Sequence, residues 1–189
     1  MRIALISDIH ANREAFEACL EHAQRNGVDE YVFLGDYVGY GADPGWVVDS
    51  VMAYVERGAV AVLGNHDAAA VGQDADMNED AAAAIEWTKT KLTAEQSKFL
   101  SELPLTARRG DYLYVHANPV APAEWGYVAD LYSASRSLVS TQAHVTFCGH
   151  THVPTLFHMS ITGKFAGFDP IDRVEIPLTA RRRWLAVIG

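Results

Sequence analysis

Cysteine is scarce in this chain: Cys19 and Cys148 are the only two among 189 residues. That excludes a disulfide framework. Cys19 sits on a helical apolar face and Cys148 inside an apolar strand run, so both are expected to be buried thiols. Positive charge is also in deficit, with 15 Lys and Arg against 24 Asp and Glu and a net charge of −9. This balance disfavours nucleic-acid polymers and anionic membranes as partners, because both need a basic face. It leaves a phosphate substrate open, since bound metal ions reverse the local sign. No apolar run is long enough to span a bilayer, and no basic segment with a long apolar sequel opens the chain. Repeats and low-complexity linkers are missing as well. One domain over residues 1–189 and a cytoplasmic location are expected.

What the chain does have is a repeated pattern. Five short apolar runs each end in residues that bind metals. Ile3-Ala4-Leu5-Ile6 leads to Asp8 and His10, and Tyr31-Val32-Phe33-Leu34 leads to Asp36. Ala59 to Leu63 leads to Asn65, His66 and Asp67. Tyr112-Leu113-Tyr114-Val115 leads to His116, and Val145-Thr146-Phe147-Cys148 leads to His150 and His152. Short apolar runs of this kind read as buried strands, and ligands of open α/β sheets gather outside the carboxyl ends of strands.

Between the runs the spacing predicts strands over 2–6, 30–34 and 59–63, with helices over 12–25 and from Asp43-Pro44 to Val55. The β-α-β-α-β order implies parallel strands. Residues 68–103 turn helical, with Thr93 to Gln96 as a capping box and Pro104 as the stop. The remainder reads mostly as strand: 105–108 and 112–115 around the hairpin Arg109-Gly110-Asp111, then runs near 145, 155–159, 174–178 and 184–188, with a helix over 129–140. Two sheets in one α/β domain follow, the first mostly parallel and the second mostly antiparallel.

Seven candidate ligands are too many for one tetrahedral ion and suit two ions of higher coordination: Asp8, His10, Asp36, Asn65, His116, His150 and His152. Asp8-x-His10 and His150-x-His152 would point both members the same way if the backbone were extended. Asp36 can bridge two ions with its two oxygens. The mixed oxygen and nitrogen set fits Mn, Fe, Zn, Ni or Co, with Mn favoured in an assay, and no thiolate favours softer metals. Such a pair can hold a bridging hydroxide and clamp phosphate oxygens. His66 is not needed to complete the set. It is the candidate catalytic residue, stabilising an oxyanion or protonating the leaving oxygen.

Asp8-Ile9-His10, Gly35-Asp36 with Val38-Gly39-Tyr40-Gly41, Gly64-Asn65-His66-Asp67, Val115-His116 and Gly149-His150-Thr151-His152 resemble the five signature blocks of the calcineurin-like metallophosphoesterases, in the family's order. The resemblance implies a four-layer α/β/β/α sandwich with two mixed sheets and a dinuclear site at the strand ends. It implies one ion held by Asp8, His10, Asp36 and His152, a second by Asp36, Asn65, His116 and His150, and His66 as the catalytic histidine. The implied activity is metal-dependent hydrolysis of small-molecule phosphomonoesters or phosphodiesters.

Gly39-Tyr40 stands where protein phosphatases of this superfamily carry Asp-Arg, which weighs against a phosphoprotein phosphatase. That reading would need another phosphate clamp, such as Arg13. A scaffold like the small retromer subunit is the other alternative, and the presence of His66 weighs against it. Relatives of the Gly-Tyr-Gly type continue past the last strand, so an ending at Gly189 suggests a C-terminally shortened domain. Asn12 either meets the substrate or caps a helix. Tyr37, Tyr40, Asn118 and Glu124 to Tyr127 either line a substrate pocket or pack under a loop. The acidic stretch from Asp74 to Asp80 reads as a solvated loop leading into a helix.

Overall fold

The computed structural model describes residues 1–73 and 77–189. Strands β1 (Ile3–Ile6), β2 (Glu30–Phe33) and β3 (Val60–Ala61) alternate with helices α1 (Arg13–Arg25) and α2 (Pro44–Glu56). Helices α3 (Asn65–Ala70), α4 (Glu79–Lys89) and α5 (Ala94–Glu102) follow. The second half contains β4 (Thr106–Arg109), β5 (Tyr112–Val115), α6 (Leu131–Ser140), β6 (Val145–Cys148), β7 (Thr155–Ser160), β8 (Phe165–Phe168) and β9 (Arg182–Val187).

The first sheet runs β1-β2-β3 and is wholly parallel, where two mixed sheets were expected. The second runs β4-β5-β6-β9-β7-β8. Its centre, β5-β6-β9, is parallel, and antiparallel pairs flank it on both sides. Alternation along β2 builds the layers. Phe33 faces outward into a cluster with Phe16 of α1, Val47, Val48 and Val51 of α2 and Leu100 of α5. Val32 and Leu34 face the other sheet and meet Tyr114 and Phe147. On the far side, Ala134 and Leu138 of α6 cover Val115, Cys148, Phe157 and Leu185. The order is therefore helix, sheet, sheet, helix.

Helix ends follow local chemistry. Asn12 caps α1, accepting from the Ala15 N–H at 3.0 Å. The Thr93–Gln96 box starts α5 as expected. Asp43 occupies the cap position of α2 without a side-chain hydrogen bond, and Pro44 begins the helix. Asp74, Ala75 and Asp76 of the acidic stretch lie outside the described residues; Asn78 caps α4, with Glu79 and Asp80 in its first turn.

Three expectations need correction. Cys148 is buried but Cys19 is exposed, because α1 turns Phe16, Leu20 and Ala23 inward. No strand forms over 174–178. Pro177 removes a ladder N–H there, and Ile176 and Leu178 lie instead across Val145, Leu156, Trp184 and Ala186. The strand beside β7 is β8, whose four residues are all exposed. Among the described residues, no helix is long and apolar enough to cross a membrane.

Candidate metal centre

The carboxyl ends of β1, β2, β3, β5 and β6 bring the seven expected ligands and His66 to one place. Three groups of ligand atoms lie within 4.8 Å of one another: Asp8, His10 and His152; Asp36, His116 and His150; and His10, Asp36 and His66. Asp36 stands between His10, 3.8 Å from its Oδ2, and His116, 3.3 Å from the same oxygen. Asn65 joins the second group with its Oδ1 3.1 Å from His116 Nε2.

The local geometry is not the extended one expected for 8/10 and 150/152. β1 ends at Ile6 and β6 at Cys148, and the ligands lie in tight turns beyond them. Asp8 has φ +54°, His10 +48°, Asp36 +54°, His150 +69° and His152 +55°. Of the nine non-glycine residues with positive φ among the described residues, seven belong to these loops, Ala11 and Tyr40 being the others. Each left-handed residue costs about 1 kcal/mol or more, so the concentration of strain here is a property of the site. Gly35, with φ +95°, lets the first loop pass close to the third: a Cβ there would lie 2.7 Å from the Gly64 nitrogen.

Asp67 holds this arrangement together, a role missed from the sequence. Its Oδ2 accepts from the N–H groups of Asp36 at 2.8 Å and Gly64 at 3.0 Å. Its Oδ1 accepts from Tyr37 at 2.8 Å and Val38 at 3.2 Å. Burial and the Asp36 charge push the Asp67 carboxyl upward, and the N–H donors of Gly64 and Val38 oppose them. The only hint in the sequence was an acid at the third position of a helix preceded by glycine. Asp36 is placed in turn by its Oδ1, which accepts from the His66 N–H at 2.9 Å.

Ring orientations make the site a cation site. His10 Nδ1 faces the Val38 carbonyl at 3.1 Å, and His116 Nδ1 faces the Leu34 carbonyl at 2.8 Å. A carbonyl only accepts, so each Nδ1 carries the proton and each Nε2 offers a lone pair. The His10 lone pair then meets His152 Nε2 at 3.1 Å, and that of His116 meets the oxygens of Asp36 and Asn65. His150 Nε2 is buried with no hydrogen-bond partner. Imidazole nitrogens and carboxylate and amide oxygens converging in this way fit divalent cations.

Ionisation sets the two buried rings apart. Burial lowers His150, with His116 adding to it, to about 4, so it is a neutral donor. Burial would also lower His116, but Asp36 outweighs it and raises the ring to about 9. Asp36, which burial alone would raise, is held well below the usual carboxylate range by His116, His66 and His10. The pull that draws a proton onto His116 would draw a cation at that proton's expense.

His66 lies at the second position of α3, largely buried and lowered by that burial, with no partner for its Nδ1. Gly39 carries no side chain to orient the ring, and a Cβ there would meet that nitrogen unless the ring shifted. Tyr40 packs against His10 and His66 with centroids 4.9 and 4.8 Å away and stays exposed. Tyr37 is core, donating its hydroxyl to the Val62 carbonyl at 2.7 Å. The Asn12 oxygen is taken by its cap. Arg13, the one named candidate for a phosphate clamp, pairs with Glu17 at 3.1 Å and lies over Trp46.

The comparisons agree with this geometry. Residues 1–165 match the calcineurin-like phosphoesterase superfamily domain. An uncharacterized protein of Methanocaldococcus jannaschii is 36% identical over 158 residues, 80% of this chain and 63% of that protein. The chain thus spans less than two thirds of that relative's length. The crystal structure of a metallophosphoesterase from Sphaerobacter thermophilus superposes with a TM-score of 0.84 at 33% identity, covering 100% of this chain and 76% of that one. A hypothetical protein of Pyrococcus horikoshii shares the fold, with a TM-score of 0.72 at 17% identity over 98% of this chain and 87% of that one. With the ordered blocks gathered at the strand ends and the match running over most of its length, the chain belongs to the calcineurin-like phosphoesterase superfamily.

Proposed function

We propose that this protein hydrolyses phosphomonoesters or phosphodiesters of small molecules with two divalent cations. Asp8, His10, Asp36 and His152 would hold one, and Asp36, Asn65, His116 and His150 the other. The observation that carries this reading is the convergence of lone pairs from both sheets around Asp36, within 3.8 Å of His10 and 3.3 Å of His116. When bound, such ions neutralise phosphate charge and make an activated water available near neutral pH.

The protein's own groups supply the rest. Asp36 gives the pair a shared anion, and Asp67 keeps it in place. His66 stands beside the cluster, where it can hydrogen-bond to developing charge on a phosphate oxygen or protonate the leaving oxygen. Tyr40 bounds the mouth beside His66, where it can meet the substrate. The partner in this reading is a small phosphate ester, and Arg13, the clamp a phosphopeptide would need, is engaged by Glu17 and Trp46.

The test is hydrolysis of p-nitrophenyl phosphate and its bis-ester with added Mn, Co, Ni, Fe or Zn. Turnover that is lost on chelation and restored by metal is expected. Absence of turnover with all five metals overturns the reading.

A further inference from the structure

Beside the Asp36, His116 and His150 group lies an aromatic surface that neither the ligands nor His66 use. The Tyr127 ring stacks on His150 with centroids 4.2 Å apart and planes inclined by 17°. Tyr127 is nevertheless 63% exposed. One face of the phenol is covered by the imidazole, and the opposite face is left for something else.

The position of this ring is built. Asn118 follows His116 by two residues and is itself buried. Its Oδ1 accepts from the N–H groups of Val120 at 3.0 Å and Ala121 at 3.1 Å, and its Nδ2 donates to the Gly126 carbonyl at 2.8 Å. Trp125 between them takes a left-handed turn at φ +54°. The segment that carries Tyr127 is thereby tied to the end of β5, and a preset surface binds with less ordering cost than a free one.

A cavity of about 190 Å³ opens at the same place, lined among others by Asn118, Glu124, Tyr127, Ser133 and Arg136. That is smaller than the pockets that enclose whole drug-sized ligands and suits one flat ring system. Arg136 is exposed and forms no ion pair among the described residues. Its guanidinium offers planar donors next to the phenol.

We propose that Tyr127, with Arg136 at its side, forms a subsite for the nucleobase of a nucleotide ester whose phosphate lies at the neighbouring ligand cluster. The inference rests on the phosphoesterase reading above and names its substrate class. A base matches the two chemistries together: a π-face for the phenol, and edge oxygens or ring nitrogens for Arg136. A plain aryl group would use the first and leave the donors unmatched. A neutral base also enters an acidic protein without repulsion.

Two matched substrate pairs test the base. Adenosine 5′-phosphate carries it where ribose 5-phosphate has an anomeric hydroxyl. The p-nitrophenyl esters of thymidine 5′-phosphate and of 1,2-dideoxyribose 5-phosphate share a leaving group and a sugar. In the Mn²⁺-loaded protein the base-bearing member of a pair should have roughly tenfold higher kcat/KM, carried by KM, as one stacked base provides. Tyr127→Ala should abolish the preference, so that the two members of each pair react alike, with the metal content unchanged. Tyr127→Phe should keep it.

Calorimetric binding of adenosine 5′-phosphate against ribose 5-phosphate, with a chelator present, gives a readout independent of turnover and should show the same ratio. Equal kcat/KM within both pairs overturns the subsite. So does a Tyr127→Ala protein that slows all four esters alike and loses metal, because the ring is then only a prop for His150. No turnover of any ester alongside a binding preference that needs Tyr127 overturns the phosphoesterase reading and leaves the subsite standing.

Discussion

The two sheets contribute unequally to one site. The parallel sheet supplies every candidate oxygen ligand, Asp8, Asp36 and Asn65, together with His10 and His66. The mixed sheet supplies imidazoles alone, His116, His150 and His152. The first group is tied down by main-chain hydrogen bonds, four of them to Asp67. The second is graded in exposure, from buried His116 to His152, whose side chain is 53% exposed. Charge and precision thus come from one half, and access from the other. Damage to the first half should be indivisible, and damage to the second separable.

Asp67→Asn should have the largest effect. It puts an amide NH₂ where two carboxylate oxygens receive four N–H groups, which should cost about 3 kcal/mol or more. Denaturant midpoints and metal content should fall together. An unchanged midpoint would break the comparison, since the first half would then not depend on its internal tie. Asp36→Asn comes next. Loss of the shared anion should weaken both cations and slow turnover by roughly a thousandfold, about 4 kcal/mol of barrier. Metal content by plasma emission should show both ions depleted, and depletion of one alone would remove Asp36 from its shared position.

His66→Ala should cut kcat by roughly 10²–10³ with both ions retained, because the ligands are untouched. Metal loss in that protein would make the residue structural. His152→Ala should do least. It should lower the metal content from two toward one, with stability unchanged within about 0.5 kcal/mol, as for other partly exposed positions. A large loss of stability there would show that the second half is as indivisible as the first.

The candidate ligands were legible as a group because a buried strand must be apolar, so the first polar residues past its end stand out. Their conformation was not. Alternation suggested an extended Asp8-x-His10, whereas the left-handed φ values of Asp8 and His10 are imposed by contacts with the Asp36 loop that no local spacing reveals: the His10 N–H donates to the Asp36 carbonyl at 2.9 Å and the Asp8 N–H to that of Gly35 at 3.1 Å. Asp67 escaped for a similar reason, since three of its four backbone partners lie 29 to 31 residues away. In the fold, the helices with clear caps were well placed. β8 was missed because an exposed Phe-Ala-Gly-Phe carries no burial pattern. The segment 174–178 was misread because Ile176 and Leu178 bury themselves at strand spacing without pairing.

The carbonyls of Val38 and Leu34 decide which nitrogen of His10 and His116 is basic. Those oxygens belong to the main chain, so replacing neighbouring side chains cannot remove them. Ancestral drift or deliberate engineering can therefore redecorate the rim for new esters while the imidazoles keep presenting the same electron pairs inward.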